Sequence, residues 1–215
     1  MEYSAGLMSK LFWLQESRKT AGYILEGYSK ADIKKIAWTE NIYQVREEYR
    51  AYEVLNGTYR RMSVLPKAVL HVFTTCDVET ARILNLIAIL IDNRLFFEFL
   101  HEVYAEKIRL GEKEIENRDL NLFFADKAMQ SDVVAGWADT SVRRLKQCFT
   151  RMMFEAGLLE SSVKPRRIKP LQVDYRTEEL LIVNGLGEYL KAVKGVYLLL
   201  ILRNRHLHAK SRICR

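Results

Sequence analysis

The chain predicts an all-α protein, and three observations carry that expectation. Only 3 prolines and 10 glycines occur in 215 residues, which disfavours a turn-rich all-β sandwich. Long stretches are rich in Leu, Glu, Lys, Arg and Ala, the good helix formers. Apolar residues also recur at intervals of three and four, the signature of one helix face. At 49% hydrophobic and 28% charged, the sequence can bury a real core. Its length fits one large domain or two small ones.

The first third reads as three helices. Met8 to Glu26 carries Leu11, Leu14, Ala21 and Leu25 at roughly helical spacing, with Gly27 able to close it. Ser29 then caps a short helix with Asp32 three residues on, above Ile33 and Ile36. A long helix follows from about Asn41 to Ser63 and stops before Pro66. In it Tyr43, Tyr49, Tyr52 and Tyr59 alternate with Arg46, Arg50, Arg60 and Arg61, a weak nucleic-acid signal. Pairing with Glu47 and Glu53 at helical spacing is the local alternative to a phosphate contact.

The middle is helical and acidic. Asp77 caps a helix to about Ile91, the most apolar stretch and the expected central core element. Another starts at Asn93 or Arg94 and ends at Gly111, and a further one covers roughly 114–129.

Residues 137–159, WADTSVRRLKQCFTRMMFEAGLL, raise the functional question. Ser131 can cap a short helix, DVVAGW; a brief turn follows, and Thr140 or Ser141 can cap the next helix. Val142, Leu145, Phe149, Met152 and Ala156 then make a core stripe. At about 100° per residue, Arg143, Arg144, Gln147, Thr150 and Arg151 fall off that stripe. Two helices joined by a tight turn, the second bearing long polar side chains near its start, match helix-turn-helix geometry. Arg and Gln also reach guanine and adenine edges bidentately. After Leu159, the segment SSVKPRRIKPLQVDY sets Lys164, Arg166, Arg167 and Lys169 in a proline-flanked, wing-like extension. Together with Lys146, these residues are the candidate DNA contacts; Arg46, Arg50, Arg60 and Arg61 are a possible secondary set.

Charge is segregated along the chain. Residues 1–75 hold 11 Lys/Arg against 8 Asp/Glu, residues 76–142 hold 7 against 13, and residues 143–215 hold 16 against 6. Such segregation suits a polyanion. A plain solvated surface, or a face that meets an acidic protein, remains the alternative.

Other classes find little support. Cys76, Cys148 and Cys214 are odd in number and far apart, which argues against a disulfide framework or zinc site and for a reducing cytoplasm. The apolar runs at 83–91 and 196–202 are well short of the roughly 18–20 residues of a spanning helix, so no membrane partner is expected. The N-terminus lacks the pattern of a signal peptide. No P-loop, GxGxxG in context, HExxH or nucleophile–histidine–acid set occurs, so neither a cofactor nor an enzyme is expected. His206 and His208 are only two apart near the end and read as an exposed tail, with no metal site expected.

Three stretches resemble one family. The opening YSAGLMSKLFW, the later ENIYQVREEYRAYEVLNGTYRRMSVLP, and WADTSVRRLKQCFTRMMFEAGLL are similar to BrxA, a small component of BREX (bacteriophage exclusion) systems. The likeness extends over roughly residues 2–195, through ELLIVNGLGEYLKAVKG. It implies an N-terminal helical bundle over 1–112, similar to the NusB group of RNA-binding proteins, and a winged-helix-like unit over 113–195. A basic tail at 196–215 lies outside the pattern. It further implies double-stranded DNA as partner and a role beside a BREX methyltransferase and ATPase. RNA rests on the fold analogy alone, and an adaptor that docks on other defence proteins is the competing reading.

Overall fold

The computed structural model describes residues 2–195; the tail expected over 196–215 lies outside them. The described chain is all-α, with extended pairing confined to two isolated antiparallel bridges. The N-terminal helix departs from expectation. A 3-10 turn at Gly6–Ser9 is followed by extended chain, and α1 (Leu14–Leu25) begins only after Trp13, which is left-handed at φ 49°. That conformation costs of order 1 kcal/mol outside glycine, and tertiary contacts hold it. The indole lies against Gly57, where a Cβ would stand 2.5 Å from the ring. The preceding carbonyls are taken by buried donors: Arg61 Nη1 donates to Leu11 O at 2.7 Å and Asn85 Nδ2 to Phe12 O at 2.7 Å.

α2 (Lys30–Thr39) starts at the expected Ser29–Asp32 capping box. α3 (Glu48–Ser63) begins later than Asn41, because Asn41 and Gln44 are themselves left-handed. α4 (Lys67–Thr75) occupies a stretch to which the sequence assigned no element. α5 (Val78–Asp92) is the central core helix, buried without interruption from Ile83 to Leu90. α6 (Arg94–Phe99), a π-helical turn (Leu100–Tyr104) and α7 (Ala105–Leu110) form one rod closed by left-handed Gly111, as expected. α8 (Asn117–Gln130), α9 (Asp132–Ala135) and α10 (Asp139–Glu155) follow, then α11 (Tyr175–Val183) and α12 (Gly187–Lys194).

The main core runs from Leu7 to Val193 and draws on both sides of residue 112, while a smaller cluster around Ile33, Tyr43 and Val54 joins α2 to α3. Lys127 of α8 is nearly buried and bonds Glu98 at 2.8 Å and Glu102 at 2.6 Å, tying α8 to the α6 rod. Burial alone would push the Glu98 carboxyl up; hydrogen bonds from Lys127, Arg94 and Tyr3 prevail and hold it below the ordinary range. No helix among the described residues is long and apolar enough to cross a membrane.

Asp77 caps α5 by accepting from Thr80 N at 2.9 Å and from its hydroxyl at 2.7 Å, which holds the carboxyl below its usual range. A depressed carboxylate contributes stability that is present above its unfolded pKa and lost as pH falls through the folded one. Asp77→Ala should therefore cost about 1 kcal/mol at neutral pH. The deficit should shrink below about pH 4, where the unfolded carboxyl gains its proton. Urea melts at pH 7 and pH 3 check both halves; equal deficits at the two pH values would refute the ionic contribution.

Candidate nucleic-acid interface

α10 is positioned by its apolar side. Leu145, Phe149, Met152, Met153 and Ala156 are buried, and Val142 is half-buried at the N-terminal end. The Phe149 ring packs on Phe96 at 4.7 Å, Phe99 at 5.5 Å and Phe124 at 5.6 Å, joining α10 to both α6 and α8. Arg143, Arg144, Gln147 and Arg151 consequently face solvent.

The start of the helix differs from expectation. It begins at Asp139 with Ala138 at the cap and no side-chain capping bond, so neither Thr140 nor Ser141 caps it. Thr140 is exposed and Ser141 half-buried. Asp139 supplies an acid to the first turn, where the helix dipole favours it. Ser131 stands at the N-cap of α9, also without a side-chain bond. Thr150 is a correction: it is only 3% exposed and its hydroxyl donates to Gln147 O at 3.0 Å, so it is unavailable to a surface ligand. Met153 widens the buried side enough to enclose it.

The extended pieces lie beside this helix. Ile115 N donates to Arg166 O and Ile168 N to Lys113 O at 3.0 and 2.8 Å. Glu160 N donates to Arg167 O and Lys169 N to Leu158 O at 3.0 and 2.9 Å. Residues 113–115, 158–160 and 166–169 thus run side by side, and 161–165 form the loop between the last two. Lys164, Arg167 and Lys169 are exposed. Arg167 stands 3.9 Å from Glu114, an exposed pair worth little. Arg166 instead turns inward, its guanidinium donating to Ser162 O, Ile115 O and Asn117 Oδ1 at 3.3, 3.4 and 3.0 Å. It pins the loop to the start of α8.

Between α8 and α10 lies a groove of about 540 Å³, lined by Asn117, Asn121, Arg143, Lys146, Gln147 and Arg166 among others. Lys146 leans across it, donating to Asn121 Oδ1 at 2.8 Å, and burial pulls its pKa down. Arg151 pairs with Glu155 at 2.7 Å. Arg143 and Arg144 make no ion pair among the described residues.

The secondary set does not come together as one patch. Arg46 is exposed, Arg50 pairs with Glu53, and Arg60 pairs with Asp92 at 2.6 Å. Arg61 is a correction: it is fully buried, and burial lowers its pKa to about 10. It holds the chain at Leu11 and Phe12 and cannot meet a surface ligand. The periodicity of α3 contained the signal, since Arg61 lies three residues from Thr58 and seven from Val54, both buried.

This arrangement has known relatives. The sequence model of the BrxA family matches residues 1–185. The "BREX protein BrxA" of Bacillus cereus (strain H3081.97) is 31% identical over 193 residues, covering 90% of this chain and 96% of that protein. A "BREX protein BrxA" of Paramagnetospirillum magneticum (strain ATCC 700264 / AMB-1) is 20% identical over 171 residues, 80% of this chain and 85% of its own. A crystal structure of an uncharacterized protein from Magnetospirillum magneticum superposes with a TM-score of 0.78 at 19% identity, covering 91% of this chain and 100% of that one. At that identity the likeness concerns the fold alone. The family match and the Bacillus cereus relative together carry the identity: the chain belongs to the BrxA family of BREX phage-defence components.

Proposed function

We propose that the chain is a non-enzymatic, duplex DNA-binding component of its BREX system. On this reading the exposed side of α10 and the basic loop grip phosphates in a winged-helix-like arrangement. The observation that carries it is the adjacent Arg143 and Arg144, exposed without an ion pair among the described residues and facing away from the core stripe. Neither guanidinium has an acid to neutralise it; they stand about 100° apart on the helix, Arg143 toward the groove and Arg144 toward the opposite flank of α10, so each can meet an external anion. The order of parts supports the reading: an extended piece, α8, the short α9, α10, a second extended piece, a basic loop, and a third extended piece. Arg143, Arg144, Lys164, Arg167 and Lys169 are the principal contacts, with Arg151, Lys146 and Gln147 beside them and Arg166 holding the loop. A BREX methyltransferase and ATPase are the protein partners this role implies.

Binding of this kind releases counterions, with a slope of about −0.9 in log affinity against log salt per phosphate contact. Five contacts predict a slope near −4.5 and a loss of several hundredfold between about 50 and 200 mM salt. A gel-shift series on unrelated duplexes measures both. Similar affinities across sequences are expected, since a specific site would stand roughly 10³-fold or more apart. No duplex binding at 50 mM salt would sink the reading.

One observation favours an adaptor instead. Leu122, Met129 and Val133 are 58%, 80% and 55% exposed, and with exposed Ala125 they line up along α8 and α9 as a partner-binding face would. Pull-down from cells with and without nuclease separates the readings: loss of defence partners on nuclease treatment supports DNA, and their full retention supports the adaptor.

A further inference from the structure

The opening stretch carries part of the family resemblance yet has no part in the reading above. It forms one wall of a second cleft, of about 190 Å³, on the Arg144–Arg151 flank of α10. Lys10, Leu11 and Phe12 stand on one side, with Arg144, Gln147, Arg151 and Glu155 on the other. The arm is fixed there: Leu7 is buried, and the Cys148 thiol in the cleft donates to Leu7 O at 3.3 Å.

Three cations line the cleft, Lys10, Arg144 and Arg151, against one acid, Glu155. Arg151 is matched by Glu155, whereas Lys10 and Arg144 make no ion pair among the described residues; the Lys10 ammonium stands 5.9 Å from the Trp13 ring centroid. Arg61 lies directly behind the wall, bonded to Leu11 O at 2.7 Å. It is fully buried, and its Nε and Nη2 have no hydrogen-bond partner. No carboxylate bonds it; Asp92 is held instead by Arg60 at 2.6 Å. Asp92 lies within electrostatic reach and offsets part of its charge, but Cys148 in the cleft lies within reach as well; screening is weakest inside the protein, so the remaining field is felt there. The space is far too small for a helix and ample for a tetrahedral anion with a few waters, at roughly 30 Å³ per water.

The cleft and the 540 Å³ groove flank α10 on opposite sides and share Gln147. An α-helix of about 10–12 Å diameter fills a major groove about 12 Å wide, so such a helix has a phosphate row on each side. We propose that this cleft seats one backbone phosphate of the bound duplex, with Lys10 of the arm and Arg144 and Gln147 of α10 as donors. The arm thereby shares the interface, an inference that rests on the duplex-binding reading above. Lys10 is the residue that extends the site beyond α10 and its loop.

The test is duplex binding by the full chain against salt, comparing Lys10→Ala with Lys35→Ala, an exposed lysine on α2, as control. Lys35 is exposed and Lys10 half-buried beside Trp13, so thermal unfolding of both variants is measured alongside, to separate lost stability from lost binding. Lys10→Ala should flatten the slope by about 0.9 and weaken binding roughly 5–10-fold at 0.1 M salt, while Lys35→Ala should do neither. Ethylation interference should lose a single phosphate in Lys10→Ala. Wild-type binding with an unchanged slope and interference pattern in Lys10→Ala would overturn this inference and leave the duplex reading standing. Absence of wild-type binding overturns both. Competition by inorganic phosphate beyond its ionic-strength effect, relieved by Lys10→Ala, would assign the cleft to free phosphate and overturn it too.

Discussion

Phe149→Ala is expected to lower the melting temperature by about 6–20 °C. Removing a fully buried phenylalanine costs about 3–5 kcal/mol, because a cavity remains where the ring was. A chain of this size loses roughly 2–4 °C per kcal/mol. Little collapse can offset the loss, since Phe96, Phe99 and Phe124 belong to two different elements and all rest on this one ring. Typical domains hold only about 5–15 kcal/mol of stability, so duplex binding should fail at the temperature where the variant melts. Calorimetry alongside gel shift measures both. A melting point within 2 °C of the wild type would show that α10 is anchored by something other than this ring.

Reversing Arg143 and Arg144 together to glutamate should do the opposite: leave the fold and abolish the grip. Both side chains are exposed, where substitutions usually shift stability by no more than about 0.5 kcal/mol. Two lost phosphate contacts flatten the salt slope by about 1.8, or roughly 60-fold in affinity at 0.1 M salt. Carboxylates facing a polyanion weaken binding further. The double alanine variant should show the slope change without that added repulsion. A well-folded reversal variant that keeps wild-type affinity would turn the arginine face into a protein-docking or merely solvated surface.

Much of this was legible because it is local. The Ser29–Asp32 box, the Asp77 cap, the Gly111 stop and the stripe on α10 are each set by residues within a few positions, and they stand as expected save that Val142, at the end of the stripe, is only half-buried. What escaped was decided at long range. Residues 8–12 have helical spacing, but Trp13 turns left-handed against Gly57, forty-four positions on. Arg61 read as part of a basic face because arginine is seldom buried; carbonyls fifty positions earlier take it inside. Nothing in the sequence singled out Lys10, and only the folded arm brings it to the same cleft as Arg144. In the secondary set, local pairing prevailed at Arg50, whose neighbour Glu53 had been visible in the sequence.

The arm also has a place in time. It leaves the ribosome ahead of the partners that hold it: Arg61 and Asn85, then Glu98 for the Tyr3 hydroxyl, and finally Cys148, 141 positions beyond Leu7. At about 5–20 residues per second, that last anchor arrives some 7–30 seconds after Leu7 is joined. The arm is therefore made early and fully seated late. Leu7 is without its α10 partner until residue 148 has been made, and the same docking that supplies it completes the cleft beside Arg144.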